Sequence, residues 1–244
     1  MTQDGRLLAG ASGYSFKEWK GHFYPDRLPA ADMLAWYSAR LPTVEINNTF
    51  YRLPRAAVVE NWAATTPEPF VFSIKAPRRI TQFARLGEAS AEPLEILYRN
   101  LEPLGPKRGP VLFQVPQGLK KDVGLLRAFL ARLPENHRAA FEFRSASWLC
   151  DEVYEALASA GAALSVSERE EEVLPPLVST TTWGYVRLRL EAYAEADLQR
   201  WAERLHATSW QRIYAYFMHE PTAPAYAARL IGLWPRDAGQ AAEV

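Results

Sequence analysis

The chain has 244 residues, 48% of them hydrophobic and 23% charged, with 28 Lys and Arg against 28 Asp and Glu. A neutral balance argues against a strongly basic nucleic-acid binder, although a local basic patch stays open. The composition, with eight Trp, is that of a folded protein with a large core, and the single cysteine, Cys150, leaves no intrachain disulfide framework and fits a reducing cytosol. The first residues, Met1 to Arg6, carry no apolar signal core. No apolar run approaches the roughly 18 residues that a membrane span needs, so a cytoplasmic protein without membrane insertion is expected.

Leu7 to Ser12 is a short apolar run closed by Gly13 and reads as the first strand, with Gly10 and Ser12 on one face. A loop rich in aromatics follows (Tyr14, Phe16, Trp19, Phe23, Tyr24). Met33, Leu34, Trp36, Tyr37 and Leu41 then recur at helical spacing. Thr43 to Asn47 is the second strand: Val44 and Ile46 point one way, Glu45 and Asn47 the other, and Asn48, Thr49, Phe50, Tyr51 and Arg52 open a loop. Its helix runs from about Ala56 to Thr65 and stops before Pro67.

The third strand spans Phe70 to Ala76, with Ser73 and Lys75 opposite Phe72 and Ile74, and a loop follows over Pro77 to Gln82. A helix near Ala91–Leu101 precedes two breaks, Gly105-Pro106 and Gly109-Pro110. Val111 to Val115 is the fourth strand, and Asp122 is placed to cap a helix reaching Leu133. Ala139 to Arg144 is the fifth, with Glu142 and Arg144 on one face. Asp151 is the expected cap of a helix ending at Gly161. Ala162 to Ser167 is the sixth strand, and the acidic run Glu168–Glu172 with Pro175-Pro176 predicts an irregular, solvated segment. Gly184 to Leu190 and Gln211 to His219 are the seventh and eighth strands, with helices near Glu195–Leu205 and Ala223–Leu233. The tail over 236–244 is expected to fray.

Eight strands alternating with helices, with no Asn-Gly or Asp-Gly hairpin between neighbours, predict an α/β fold: a (β/α)8 TIM barrel of eight parallel strands in one domain over 1–244. The absence of G-x-G-x-x-G after the first strand lowers a dinucleotide-binding alternative. Function in such barrels gathers at the C-terminal ends of the strands. Alternation sends Glu45, Lys75, Glu142, Arg144, Arg187 and Arg189 inward, two carboxylates against four cations, a surplus of two positive charges. Arg52, Arg78 and Arg79 add to the mouth.

One reading of these charges is a closed ion-pair network that fills the barrel, Arg187 above all. The other is a site. Guanidinium groups suit bidentate recognition of carboxylate or phosphate. An anionic, phosphate-bearing ligand is therefore expected on Lys75, Arg78, Arg144 and Arg189, with Glu45 or Glu142 as candidate general acid or base. Asn47, Asn48, Tyr51, Arg52, Gln114, Trp148 and His219 complete the candidate ligand-binding set, and Tyr14, Tyr51 and Trp148 are the aromatics expected to be exposed. Only His219 and His22 of the four histidines fall near the mouth, so no metal site is assigned, a multi-zinc cluster is not expected and no cofactor is required. Magnesium on Glu45 or Glu142 with Asn47 is compatible with the donor chemistry but nothing calls for it. Cys150 precedes a helix with no histidine beside it and reads as inert.

Several stretches together resemble the DUF72 (YecE-like) family. They are Gly10-Ala-Ser-Gly-Tyr-Ser-Phe16 with Trp19-Lys-Gly21, Val44-Glu-Ile-Asn-Asn-Thr-Phe-Tyr-Arg-Leu-Pro54, Phe72-Ser-Ile-Lys-Ala-Pro-Arg78, Leu112-Phe-Gln-Val-Pro116, Phe141-Glu-Phe-Arg144 with Ser147-Trp148, and Tyr185-Val-Arg-Leu188. The resemblance implies a TIM barrel and transfers no reaction. This chain departs from the family pattern at the mouth: Gln82 and Leu190-Glu191 stand where the pattern has histidines, and Met218-His219 stand where it has Asn-Asn. Three functional readings remain: a hydrolase- or lyase-type enzyme acting on an anionic small molecule, a non-catalytic ligand-binding or interaction module, and a nucleic-acid binder or processor.

Overall fold

The computed structural model describes residues 6–168, 176–218 and 221–235. Eight parallel strands run in chain order round a closed barrel: β1 (Leu7–Ala11), β2 (Thr43–Ile46), β3 (Val71–Lys75), β4 (Arg108–Val115), β5 (Ala139–Phe143), β6 (Ala163–Ser167), β7 (Trp183–Leu188) and β8 (Arg212–Phe217). The ring closes by pairing β8 with β1, Leu7 opposite Ile213 and Ala11 opposite Phe217. Helices α1 (Met33–Ser38), α2 (Ala56–Thr65), α3 (Ala91–Leu101), α4 (Val123–Leu130), α5 (Asp151–Ser159), α6 (Glu195–His206) and α7 (Ala223–Gly232) lie between and after the strands. This is the (β/α)8 architecture that the alternation of periods predicts.

Strand alternation divides the interior into two cores. Outward residues such as Val44, Ile46, Phe72, Ile74, Phe113, Phe141, Val186 and Phe217 merge with the helix faces into one large apolar cluster. Each fully buried side chain of this kind contributes about 1.5–3 kcal/mol of transfer free energy. Inward residues Val71, Leu112, Ala140, Ala163, Tyr185, Tyr214 and Tyr216 form a second, separate cluster in the lumen. Some polar groups inside the lumen are paired, the Tyr216 hydroxyl sharing hydrogen bonds with Thr43 Oγ1 (2.8 Å) and Ser73 Oγ (2.6 Å), whereas Ser165 Oγ, Ser167 Oγ and Arg187 Nε are buried without a partner among the described residues. Gly10 lets β1 and β2 close together, because a Cβ there would sit 2.0 Å from the Thr43 carbonyl oxygen.

The structure corrects several expected boundaries. Gly109-Pro110 is not a break but part of β4, at a register shift against β3 between Phe72 and Ile74, where a proline without an N–H costs the ladder least. Asp122 caps α4 as expected, accepting from the Leu125 N–H at 2.9 Å. Asp151 does not cap α5; it is the helix's first residue, with Cys150 in the cap position. Gly161 ends that segment in the left-handed region at φ 66°, as its type predicts. The expected loop after β3 contains a π-helical turn, Arg79–Phe83. The expected tail at 236–244 and residues 169–175 of the segment after β6 lie outside the described residues.

Candidate functional site

Two layers of charge sit at the C-terminal end of the barrel. The lower one is built on Arg187, whose side chain is fully buried. Its Nη1 donates to Glu142 Oε2 at 2.6 Å and its Nη2 to Glu45 Oε1 at 2.9 Å. Glu45 also accepts from the Tyr185 hydroxyl at 2.6 Å and from Ser12 Oγ. Glu142 also accepts from Gln114 Nε2 at 2.7 Å, across the β4–β5 pairing that sets these two residues side by side. Burial alone would push both carboxyls up. The charge of Arg187 and the hydrogen bonds overcome it, with Ser12 and Tyr185 helping at Glu45 and Arg189 and Gln114 at Glu142. Glu45 is held below its usual range and Glu142 at about 2. The same pairing raises Arg187 against its own burial, and burial beside Glu45 raises Tyr185.

Neither carboxyl therefore holds a proton to donate at neutral pH, and a carboxylate so tightly paired is a weak base. The closed-network alternative describes this layer well, and Ser12 and Tyr185 belong to it. Strand alternation marks both, since Tyr185 lies two residues before Arg187 and Ser12 two after Gly10. Buried pairs like these are weak devices for stability but costly to break.

The upper layer is open. Arg144 lies just past the end of β5 and Arg189 just past β7, not within strands as expected. Their distances to Glu142 Oε1 are 3.7 Å and 3.5 Å, longer than the bonds of the lower layer, and the Arg144 side chain is 42% exposed. Arg189 Nε is buried with no hydrogen-bond partner among the described residues. Burial lowers the Arg189 guanidinium, offset in part by Glu142. Lys75, at the end of β3, is lowered to about 8 by burial first and by Arg187 second, with Glu45 and Glu142 pulling the other way. Its Nζ lies 4.6 Å from the centre of the Phe50 ring. The Thr49 hydroxyl fixes that ring's turn, lying 2.8 Å from the Ile46 carbonyl oxygen and 2.7 Å from that of Lys75.

The remaining expected residues divide. Asn47 donates through Nδ2 to Ser12 Oγ, while its Oδ1 is buried without a partner among the described residues. Gln114 is present but engaged by Glu142. Asn48, Tyr51 and Arg52 line a cavity of about 660 Å³ with Leu53, Pro54, Arg55, Val58 and Trp62, and none of Glu45, Lys75, Glu142, Arg144, Arg187 or Arg189 lines it. That hollow flanks the charged layers and does not cap them. Arg78 is exposed, with its guanidinium carbon 5.6 Å from the Tyr51 ring centre and 5.4 Å from that of Phe83.

Trp148 is not exposed: it is fully buried, stacks on Phe143 at 4.8 Å and donates to the Leu119 carbonyl at 2.7 Å. Of the other two aromatics expected to be exposed, Tyr51 is and Tyr14 is half-buried. Glu168, read as solvated, is buried, accepting from the Tyr193 hydroxyl and from Trp201 Nε1 at 3.1 Å. It anchors the segment after β7 that carries Arg189. His219 lies outside the described residues. Among the described residues no three His, Cys, Asp or Glu side chains converge as a metal site, and no helix is long and apolar enough to cross a membrane.

These features define a class: a (β/α)8 barrel whose mouth carries cations above a sealed carboxylate–guanidinium layer. The chain belongs to the DUF72 family, described as a protein of unknown function, whose model matches residues 8–243. It is 32% identical to UPF0759 protein YunF of Bacillus subtilis (strain 168) over 148 residues, 56% of this chain and 52% of YunF. It is 32% identical to UPF0759 protein YecE of Escherichia coli (strain K12) over 109 residues, 44% of this chain and 40% of YecE. These matches thus span about half, or less, of the length of the curated relatives. The crystal structure of a DUF72 family protein from Thermotoga maritima superposes with a TM-score of 0.75 at 26% identity, covering 93% of this chain and 97% of that one.

Proposed function

We propose that the mouth of this barrel binds a small anionic molecule, phosphate-bearing, and that the protein is a hydrolase- or lyase-type enzyme acting on it. The observation that carries the reading is the inequality of the two layers. Arg187 and Tyr185 engage Glu45, and Arg187 takes the Oε2 oxygen of Glu142, so among the described residues Arg144 and Arg189 share the second Glu142 oxygen. Arg189 is a half-buried cation that shares its one carboxylate oxygen, and an anion lowers the cost of its desolvation. Arg189 Nε is a buried donor without a partner among the described residues on a partly exposed side chain, which fits the same ligand chemistry, although Arg187 Nε in the layer below is likewise unpartnered.

Lys75 is the group in this layer that titrates near neutrality, which makes it a better candidate for proton transfer than the two carboxylates. Glu45 and Glu142 then act by holding Arg187 and, through it, the electrostatic level of the mouth. The closed pairing of the lower layer favours the non-catalytic alternative for that layer alone.

Calorimetric titration with inorganic phosphate tests the reading. Binding is expected to weaken about tenfold or more in Arg189→Met, and to weaken in the native protein as pH rises through about 8 and Lys75 loses its charge. Phosphate affinity that is absent, or indifferent to both changes, would sink it.

A further inference from the structure

Beyond the charged floor, a chain of contacts between cations and rings leads outward. Lys75 Nζ lies over Phe50, Phe50 meets Tyr51 edge-on at 5.2 Å, Tyr51 lies beside Arg78, and Arg78 lies beside Phe83. The two outermost rings are conspicuously bare: Tyr51 is 72% exposed and Phe83 is 68% exposed. Single exposed apolar residues need no explanation. Here two large rings flank one guanidinium at 5.6 and 5.4 Å, on loops that follow neighbouring strands at the mouth.

The backbone beneath Phe83 is built to hold it there. The turn Arg79–Phe83 is π-helical, and Arg85 and Leu86 follow with φ of 50° and 63°, a left-handed pair of non-glycine residues. Each costs free energy and persists only where contacts enforce it. Those contacts are present. Leu86 is fully buried, and its N–H donates to the Ile80 carbonyl at 3.1 Å. Its own carbonyl accepts from Arg132 Nη2 at 2.7 Å, and Arg85 Nη2 donates to the Gly118 carbonyl at 2.8 Å. Gln82 ties the turn to β4 through the Gln114 carbonyl at 3.1 Å. Four polar ties and one buried side chain thus fix a strained loop whose exposed product is Phe83. Tyr51 is fixed from the other side by the Thr49 anchor on β2 and β3.

We infer that Tyr51, Arg78 and Phe83 form a stacking subsite for a planar ring, so that the ligand of the mouth is a phosphate ester carrying an aromatic base, of the size of a mononucleotide. The inference rests on the anion reading above and adds its second half: phosphate toward Lys75, Arg144 and Arg189, ring toward Tyr51 and Phe83. Rings and guanidinium planes stack on any aromatic heterocycle, which gives affinity without strong base selectivity. Each contact alone is weak, so both are expected on one molecule.

The test compares adenosine 5′-monophosphate with ribose 5-phosphate, which share the phosphate and differ by the base, in calorimetric titrations of the full chain. The nucleotide is expected to bind at least tenfold more tightly, and that ratio is expected to fall toward one in Phe83→Ala and Tyr51→Ala. Both side chains are mostly exposed, so loss of fold does not confound the result, and a circular dichroism melt checks it. Equal affinity for the two compounds, or a ratio unmoved in both variants, overturns the stacking subsite while the anion reading stands. Failure of both compounds to bind overturns the anion reading and this inference with it.

Discussion

The lower and upper charged layers use the same residue types a few ångströms apart, yet they are opposite in kind. In the lower layer Glu45, Glu142 and Arg187 are buried and joined by bonds of 2.6 and 2.9 Å, with Tyr185 and Gln114 taking up further oxygen valence. In the upper layer Arg144 and Arg189 lie at 3.7 and 3.5 Å from one shared oxygen, and Lys75 faces a ring. Among the arginines, position along the strand decides the difference. A charge inside the ladder, Arg187, is satisfied by the fold itself, and a charge one residue past the ladder can wait for a ligand. Lys75, the last residue of β3, stays in the ladder and yet faces a ring.

The comparison breaks most visibly at Arg187. Replacing it with Met leaves two buried carboxylates without their cation, which costs about 3–5 kcal/mol. The pH dependence should also reverse. In the native protein Glu142 titrates at about 2, below its ordinary 4.5, so its contribution is intact above about 4.5 and is lost as pH falls toward 2. In Arg187→Met, burial dominates and raises both carboxyl values. Stability is then greatest at low pH and falls as pH rises through those raised values. Melting temperatures of both proteins between pH 4 and 8 check this; parallel curves would mean that Arg187 is not what holds the carboxylates ionised.

The smallest effect is expected at Arg144. Its pair with Glu142 is long and its side chain 42% exposed, so Arg144→Ala should change stability by less than about 1 kcal/mol in chemical denaturation. A loss as large as that of Arg187→Met would put Arg144 in the sealed layer and erase the distinction between the two.

Period and punctuation carried the architecture. Strand alternation set Glu45, Lys75, Glu142 and Arg187 on one face, and the barrel brought them together as expected. What alternation does not express is depth. Arg187 was the residue expected above all in a closed network and is sealed, but Arg144 and Arg189 were placed on the strands with it, and only the closed ring shows that they lie past the ladder. Trp148 was misread for the same reason: an aromatic after a strand can cover the core as easily as meet solvent. Glu168 looked solvated as the head of an acidic run, but Trp201 and Tyr193, more than 20 residues away, bury it. Phe83 was not singled out, since the π-helical turn and the left-handed pair that expose it leave no mark at Arg85 or Leu86, which are ordinary residue types.

The most direct measurement is a crystal structure of the protein grown with phosphate. The account predicts a phosphate within hydrogen-bonding distance of both Arg144 and Arg189 and on the Lys75 side of the mouth, with Arg187 still clamped between Glu45 and Glu142. Phosphate found only elsewhere, or an Arg187 that leaves its carboxylates to meet it, would contradict the account.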